Sequence, residues 1–188
     1  MAGLIAARDR LNAADAKLGD GDTGTMLARS ARAVLHDLPP DAAADPATLL
    51  RTAAEAVARE TGSSLGTLLA LGLRRCAKEL GSGDPVRMSD VSAALAAAAS
   101  QMRIAGGAQP GDKTVVDFLD AMAQQTAQVV VAADILAAGE LCLDTFRPKP
   151  CRIGRARLYP ETSCGADDPG MLAGIIALQA MCEDPGQG

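Results

Sequence analysis

Aromatic residues are scarce in this chain of 188 residues, which has no tryptophan, one tyrosine and two phenylalanines. β-Strands usually draw on aromatic and β-branched residues, so the scarcity argues against a β protein. The chain is nonetheless 48% hydrophobic, with alanine prominent, and alanine has the best helix propensity. The composition therefore predicts close-packed helices in a single domain, residues 1–188.

Other absences exclude classes of function. The net charge of −5 argues against a nucleic-acid partner, because such binders usually carry a basic face. The five cysteines form no Cys-x-x-Cys pair, so neither a zinc ribbon nor a disulfide framework is supported. No apolar run approaches ~18 residues, and the N-terminus lacks a signal-peptide pattern. We therefore expect a cytoplasmic protein with reduced thiols and no membrane span.

Apolar residues recur at helical spacing along most of the chain and predict eight helices. These cover about 2–17, 24–37, 47–60, 64–80, 90–104, 113–123, 126–146 and 168–183. Ser89 or Asp90 is the expected cap of the fifth helix. The stretch VVVAADIL (129–136) is the best strand candidate, but its flanks continue the helical period. Between the last two helices, 147–167 is a long irregular segment, and such loops are usually functional or disordered.

The turn DAKLGDGDTG (15–24) places three aspartates, Asp15, Asp20 and Asp22, within eight positions. Three unneutralised carboxylates repel and raise one another's pKa, and a hard divalent cation such as Mg²⁺ relieves this. A helix that begins near Thr23 would also aim free N–H groups at the turn, which favours anions. The pattern therefore suits a metal ion that joins protein oxygens to a polyphosphate.

Two other interpretations of this turn compete with a Mg²⁺ site. The simplest is a solvated turn in which Asp20 or Asp22 caps the following helix. A calcium-binding EF-hand loop fails, because Thr25 and Ala31 occupy the expected glycine and glutamate positions. A phosphate-binding Walker motif is absent from the sequence.

Other loops carry weaker signals. In GDKT (111–114) the simplest interpretation makes Asp112 a helix cap and Lys113 a solvated side chain. TGSSLG (61–66) offers two hydroxyls before a helix, for a cap or for phosphate. Three arginines at 152–157 form a positive patch, which serves either solubility or contacts with phosphate. The only histidine, His36, is read as a solvated surface residue.

Four segments, taken in their order along the chain, form a more specific pattern. They are LNAADAKLGDGDTG, TGSSLG, GGAQPGDKTVVDFLDAM and IGRARLYPETSCGADDPG. Together they resemble the nucleotide-binding L-subunit domain of dihydroxyacetone kinases, from about Leu11 to Met181. The resemblance implies an all-α fold, a barrel or bundle of eight antiparallel amphipathic helices with the nucleotide site at one end.

The same resemblance assigns roles to individual residues. It implies that Asp15, Asp20 and Asp22 hold two Mg²⁺ ions that bind the phosphates of ADP or ATP. With Arg155, which could stabilise charge on the transferred group, they are the expected catalytic residues. The further positions that it places at the nucleotide are Thr23, Thr25, Ser63, Ser64, Gly107, Thr114, Val115, Gly165 and Asp168; Arg155 belongs to this set as well.

Three positions depart from the family's pattern. Met26 stands where the family often has asparagine, which removes a polar contact to the nucleotide. Leu65 replaces a loop glycine, and Met171 replaces a small residue. These changes affect the nucleotide and substrate side more than the metal side.

The resemblance implies a phosphotransferase of the glycerone kinase type that works with a partner. The acceptor would be a short keto-sugar bound to a histidine of a separate K-subunit. A phosphotransferase-system phosphocarrier and a second copy of the chain, in a homodimer, are further candidate partners. Two alternatives stay open: a non-catalytic nucleotide-binding regulator, and the donor domain of a related kinase with another acceptor.

Overall fold

A computed structural model describes residues 1–39, 45–81, 85–128, 131–158 and 160–182. Within these ranges the regular structure is helical and no strand occurs. In chain order the elements are α1 (Ala2–Ala6), α2 (Arg8–Asp15), α3 (Thr23–Asp37), α4 (Pro46–Glu60), α5 (Ser64–Leu80), α6 (Met88–Gly106), α7 (Val115–Thr126), α8 (Ala132–Phe146), a 3₁₀ turn (Arg155–Leu158), α9 (Pro160–Ser163) and α10 (Pro169–Cys182). The all-α class predicted from the composition is therefore confirmed.

The helices close into a ring that follows chain order. From α3 to α8 each helix packs on the next, and α10 packs on α8 at one side and on α1 and α2 at the other. Together α1 and α2 fill one position, so the ring has eight positions. Short connections between packed consecutive helices make those neighbours antiparallel. This arrangement agrees with the predicted eight-helix antiparallel barrel.

The core combines a few large side chains with many alanines. Leu11 and Met171 are fully buried and belong to one cluster with Phe118. Around α6 the buried contacts come mainly from small residues such as Ala98 and Ala99. Burying a large apolar side chain stabilises a fold by about 1.5–3 kcal/mol, whereas alanine permits close approach of helix axes. Close contact between helices thus compensates for the scarcity of aromatics.

The predicted first helix, 2–17, is wrong in two respects. The structure interrupts it at Ala7, whose φ of −83° and ψ of 5° leave the helical region, and ends it at Asp15. Ala7 still donates to the carbonyl of Gly3 at 2.9 Å and accepts from the amide of Leu11 at 3.0 Å, so two helical hydrogen bonds continue through the interruption. Both α1 and α2 pack on α3 and on α10, so together they fill one position of the ring.

Three further boundaries also differ from the prediction. The expected cap at Ser89 or Asp90 is wrong, because Arg87 takes the cap position and the Asp90 carboxylate accepts its backbone N–H at 2.9 Å. Two predicted helices, 113–123 and 126–146, become α7 and α8 with later starts. Part of the strand candidate, 129–130, lies outside the described residues, as does residue 183 of the last predicted helix.

The segment 147–167 is not wholly irregular, since it contains the 3₁₀ turn and α9. None of the described helices is long and apolar enough to cross a lipid bilayer.

Candidate functional site

The acidic turn joins the end of α2 to the start of α3. Asp15 is the last residue of α2, and its backbone carbonyl accepts the amides of Leu18 and Gly19. Gly21 follows with a φ of +78°, a value that glycine adopts without strain. The chain therefore folds back within one short loop, and all three aspartates face the same region.

Asp15 organises this turn through its side chain. Its Oδ2 accepts the backbone N–H groups of Asp22 at 2.9 Å and Thr23 at 3.1 Å. Asp22 occupies the cap position of α3, but its own carboxylate makes no capping bond. The carboxylate of Asp15 thus satisfies free N–H groups of α3. The simple interpretation in which Asp22 caps the helix is therefore wrong.

The three carboxylates converge. One oxygen each from Asp15, Asp20 and Asp22 can be chosen so that all lie within 4.8 Å of one another. Asp15 is buried and fixed by two amides, whereas Asp20 and Asp22 are exposed. Hard oxygen donors at this spacing suit a divalent cation such as Mg²⁺.

Arg155 reaches the acidic turn from the distant 3₁₀ turn. Its Nη1 lies 2.5 Å from Oδ2 of Asp20, and both side chains are largely exposed, at 68% and 49%. The hydrogen bond from Arg155 lowers the pKa of Asp20 below its usual value. The structure therefore brings Arg155 to one of the expected metal ligands.

Thr23 and Thr25 have partners within the protein. Thr23 is buried and gives its amide to Asp15, while Thr25 exchanges two hydrogen bonds with the side chain of Asn12, at 2.9 and 3.0 Å. Met26 is 5% exposed and packs in the main core cluster. Asn12 lies in the segment LNAADAKLGDGDTG, one helical turn before Asp15, but sequence reasoning gave it no role.

The segment TGSSLG (61–66) supplies the cap and the first residues of α5. Ser63 is the cap residue, and its Oγ accepts the backbone N–H of Gly66 at 3.1 Å, while Ser64 begins the helix. Leu65, which replaces the family's loop glycine, packs against the main core cluster. Its side chain therefore points inward and does not crowd the polar face of the loop.

The starts of four alternate helices gather at one end of the ring. A Cβ added at Gly170, near the start of α10, would lie 3.0 Å from Cβ of Val115 and 3.4 Å from Cδ1 of Leu65, at the starts of α7 and α5. A Cβ added at Gly66 would lie 3.1 Å from Sδ of Met26 in the first turn of α3. Helix N-termini carry partial positive charge, so this end of the ring favours an anion.

Thr114 and Asp168 cap two of these helices. Thr114 Oγ1 accepts the N–H of Val116 at 3.1 Å, and Asp168 Oδ1 accepts that of Met171 at 2.8 Å. Asp117 accepts the amides of Gly111 and Thr114 and so fixes the loop before α7. Sequence reasoning missed Asp117, although Thr114-x-x-Asp117 has the pattern of a capping box.

Gly107 and Gly165 lie at turns. Their φ values are +71° and +82°, and a Cβ added at either would meet nothing within 4 Å. Neither has a hydrogen bond to the acidic turn among the described residues, although Gly165 donates its N–H to the carbonyl of Arg147 at 2.8 Å. Both glycines are thus exposed at turns, and no hydrogen bond among the described residues joins them to the carboxylates.

The predicted environment of GDKT is wrong. The helix cap is Thr114, and the Asp112 carboxylate instead accepts the amide of Gln109 at 2.7 Å. Lys113 is 1% exposed, and its Nζ donates to three backbone carbonyls. A lysine before a helix reads as solvated from the sequence alone, because the carbonyls that receive it come from a distant segment.

Asp168 gives the domain a testable pH dependence. Burial raises the pKa of this carboxyl to about 6, although the amides of Met171 and Gly170 and the charge of Lys113 oppose the shift. An ordinary aspartate titrates near ~3.9, so the folded state holds the proton more tightly than the unfolded state. Stability from this group is complete below pH ~4 and is lost as the pH rises through 6.

We therefore expect Asp168→Asn, which keeps an oxygen acceptor for the helix, to gain stability relative to the wild type as the pH rises from about 4 to about 7. Urea unfolding of the ligand-free domain at several pH values measures this difference. Parallel profiles for the two proteins would show that Asp168 is not the group responsible.

Known proteins are similar to this chain in sequence and in the arrangement of their helices. A model of the DAK2 domain matches residues 17–183. The triokinase/FMN cyclase of Homo sapiens is 32% identical over 96% of this chain and 32% of its own length. The dihydroxyacetone kinase of Citrobacter freundii is 32% identical over 92% of this chain and 31% of its own length.

The crystal structure of the C. freundii dihydroxyacetone kinase in complex with AMP-PNP and Mg²⁺ superposes with a TM-score of 0.76 and 28% identity. The match covers 97% of this chain and 32% of that one. The chain thus spans about a third of the length of the relatives that it matches. The family model covers most of the chain, and the all-α fold agrees, so the chain belongs to the DAK2 domain family.

Proposed function

We propose that this domain is the phosphoryl donor of a dihydroxyacetone-type kinase. It binds ADP or ATP through two Mg²⁺ ions held by Asp15, Asp20 and Asp22, and it passes a phosphoryl group to a short keto-sugar on a separate K-type partner. The observation that carries this proposal is the convergence of three carboxylate oxygens within 4.8 Å, with the Arg155 guanidinium against one of them.

The local packing of the acidic turn leaves a carboxylate oxygen available for a hard divalent cation. Two backbone amides fix the Asp15 carboxylate from one side, which leaves its Oδ1 for another ligand. A Cβ added at Gly19 would lie 2.5 Å from that Oδ1, so only glycine leaves room beside it. Bound Mg²⁺ would neutralise phosphate charge and orient the phosphates for transfer.

The phosphate side has a different electrostatic character. The N-termini of α3, α5, α7 and α10 meet at this end of the ring, as the contacts around Gly170 and Gly66 indicate. Their partial positive charges favour a polyphosphate, although several first-turn N–H groups already have caps. A cluster of carboxylates beside these N-termini supports a ligand that is itself a metal–polyphosphate complex.

Arg155 is well placed to change partners when a nucleotide binds. Its ion pair with Asp20 is exposed, and exposed ion pairs add little to stability because solvent screens them. A guanidinium can therefore leave the carboxylate at little cost once Mg²⁺ occupies it. Arg155 would then donate hydrogen bonds to the phosphoryl group in transfer, where added charge stabilisation accelerates the reaction.

The acceptor is proposed to lie on a partner because of where the single histidine is. His36 is in the last turn of α3 and pairs with Asp37, about 20 Å along the helix from Thr23. It cannot meet the acidic turn without unfolding α3. A keto-sugar bound to an imidazole therefore has to come from another domain or subunit.

The test combines binding with transfer. Calorimetry should show ADP binding that requires Mg²⁺, and a K-subunit loaded with dihydroxyacetone should become a phosphoryl acceptor when this domain and ATP are added. The sugar phosphate is measured directly. Absence of Mg²⁺-dependent binding would refute the proposal, and binding without transfer to any K-subunit would favour the regulatory alternative.

A further inference from the structure

Lys113 is a buried charged side chain outside the metal and nucleotide contacts proposed above. Its Nζ donates to the backbone carbonyls of Arg147 at 3.0 Å, Lys149 at 2.8 Å and Ser163 at 2.8 Å. Two of these carbonyls come just after α8, and the third comes from the end of α9. One ammonium group thus joins the two ends of the connection between α8 and α10.

Further hydrogen bonds hold the two ends of this connection together. We call the region around Lys113, where 147–151 meets 163–165, the neck. The Oγ of Ser163 accepts the amide of Cys151 at 2.7 Å and donates to the carbonyl of Pro160 at 2.6 Å. The amide of Gly165 donates to the carbonyl of Arg147 at 2.8 Å. The segment 152–162 leaves the neck and returns to it. We call this segment the arginine loop, because it carries Arg155.

An ammonium group suits the neck because it has three donors and no acceptor. Three carbonyls use all three donors, so the charge is fully hydrogen-bonded although the side chain is 1% exposed. Lysine is almost never so buried without such partners. Its backbone also has a φ of +64°, which a residue other than glycine adopts at a cost in free energy. The cost of burying the Lys113 charge and the cost of its positive φ are offset only when the hydrogen bonds of the neck are formed.

The arginine loop has few other anchors. Among its described residues Ala156 is buried, Ile153 is partly buried against the core cluster that contains Met102 and Val116, and Leu158 is strongly exposed. Arg152 adds one backbone bond, from its amide to the carbonyl of Asp112, the residue before Lys113. The position of the loop relative to the acidic turn therefore depends on the neck, on the packing of Ile153 and Ala156, and on the exposed pair between Arg155 and Asp20.

We infer that Lys113 is a positioning residue, whose ammonium closes the neck and thereby sets the guanidinium of Arg155 against the acidic turn. The effect of Lys113 on phosphoryl transfer rests on the proposed function, whereas its effect on the position of the arginine loop does not. Lys113 acts through the loop backbone and touches neither the carboxylates nor the phosphates.

The structural part is tested with Lys113→Met, which keeps the length of the side chain and removes the ammonium. Hydrogen exchange of the whole domain should accelerate about tenfold or more at the amides of Cys151 and Gly165 while the helices α4 to α6 stay protected. Trypsin should also cut faster in the arginine loop. Unchanged exchange at both amides would overturn the inference.

Lys149→Met is the matched control, because Lys149 lies in the same segment with its ammonium exposed over the ring of Phe146 at 4.0 Å. It should leave both amides as protected as in the wild type. If Lys113→Met prevents folding, Ser163→Ala, which removes one neck hydroxyl, should accelerate exchange at Cys151. A folded Ser163→Ala variant in which the Cys151 amide exchanges as in the wild type would contradict the proposed role of these hydrogen bonds in the neck.

The functional part uses a double-mutant cycle with Arg155→Ala in the K-subunit transfer assay. Lys113→Met should lower kcat by roughly 10²-fold, as expected for a misplaced catalytic group, and should change it less than about twofold when Arg155 is already alanine. Independent, multiplying effects would overturn the inference. If the wild type shows no Mg²⁺-dependent ADP binding, the proposed function fails. The exchange experiment still tests whether the Lys113 ammonium holds the neck closed.

Discussion

Replacing Asp22 with asparagine should abolish Mg²⁺-dependent nucleotide binding while the domain stays folded. The side chain of Asp22 is exposed and makes no capping bond, so the helix does not depend on its charge. Asparagine keeps the size and removes one of three negative charges. We expect the affinity for Mg²⁺·ADP to fall at least roughly 10²-fold and transfer to fall with it, because even indirect partners of metal ligands often change affinity by 10–100-fold. Calorimetry and the transfer assay measure both.

Asp9→Asn provides the control for this variant. Asp9 is an exposed carboxylate in the first turn of α2 and pairs with Arg8, away from the convergent oxygens. It should bind and transfer like the wild type. Equal affinities in Asp22→Asn and Asp9→Asn would show that the acidic turn holds no metal that the nucleotide needs.

Gly24→Ala should cause the largest loss of stability. A Cβ at this position would overlap the backbone oxygen of Arg8, and it would lie 2.9 Å from the carbonyl carbon of Arg8 and 2.8 Å from Oδ1 of Asn12. Backbone atoms cannot rotate away, so α2 and α3 have to separate. We expect the free energy of unfolding to fall by about 3 kcal/mol or more, as in strongly overpacked cores. Urea unfolding followed by circular dichroism measures it.

The same separation would disrupt the acidic turn, since Asp15 ends α2 and Asp22 precedes α3. Gly62→Ala is the control, because a Cβ there would meet nothing within 4 Å. Its stability should stay within about 0.5 kcal/mol of the wild type, as for exposed substitutions. A Gly24→Ala variant as stable as Gly62→Ala would contradict the close contact between α2 and α3.

Local patterns in the sequence predicted most of the helices well. The prediction for α5 agrees with the structure at both ends, because Ser63 supplies a cap and Gly81 follows the last residue. The acidic turn was also predictable, since its three carboxylates lie within eight positions of the chain. That they converge in space follows from the short turn between two helices.

Features that depend on distant segments were not predictable. Lys113 looks solvated in the sequence, because its three carbonyl partners lie more than thirty residues away. The capping role of Asp15 was missed for another reason: capping is expected from the residue next to the helix, and here it comes from the preceding helix. The roles of Gly107 and Gly165 at the nucleotide stay predictions.

The two halves of the site differ in how much chain entropy their formation costs. The acidic turn closes a loop of a few residues between α2 and α3, whereas the pair between Arg155 and Asp20 closes a loop that includes α3 to α8. Loop-closure entropy grows with the length of chain enclosed, so bringing the carboxylates together costs less chain entropy than bringing the guanidinium to them. The packing of the ring therefore has to offset the larger entropic cost of placing Arg155.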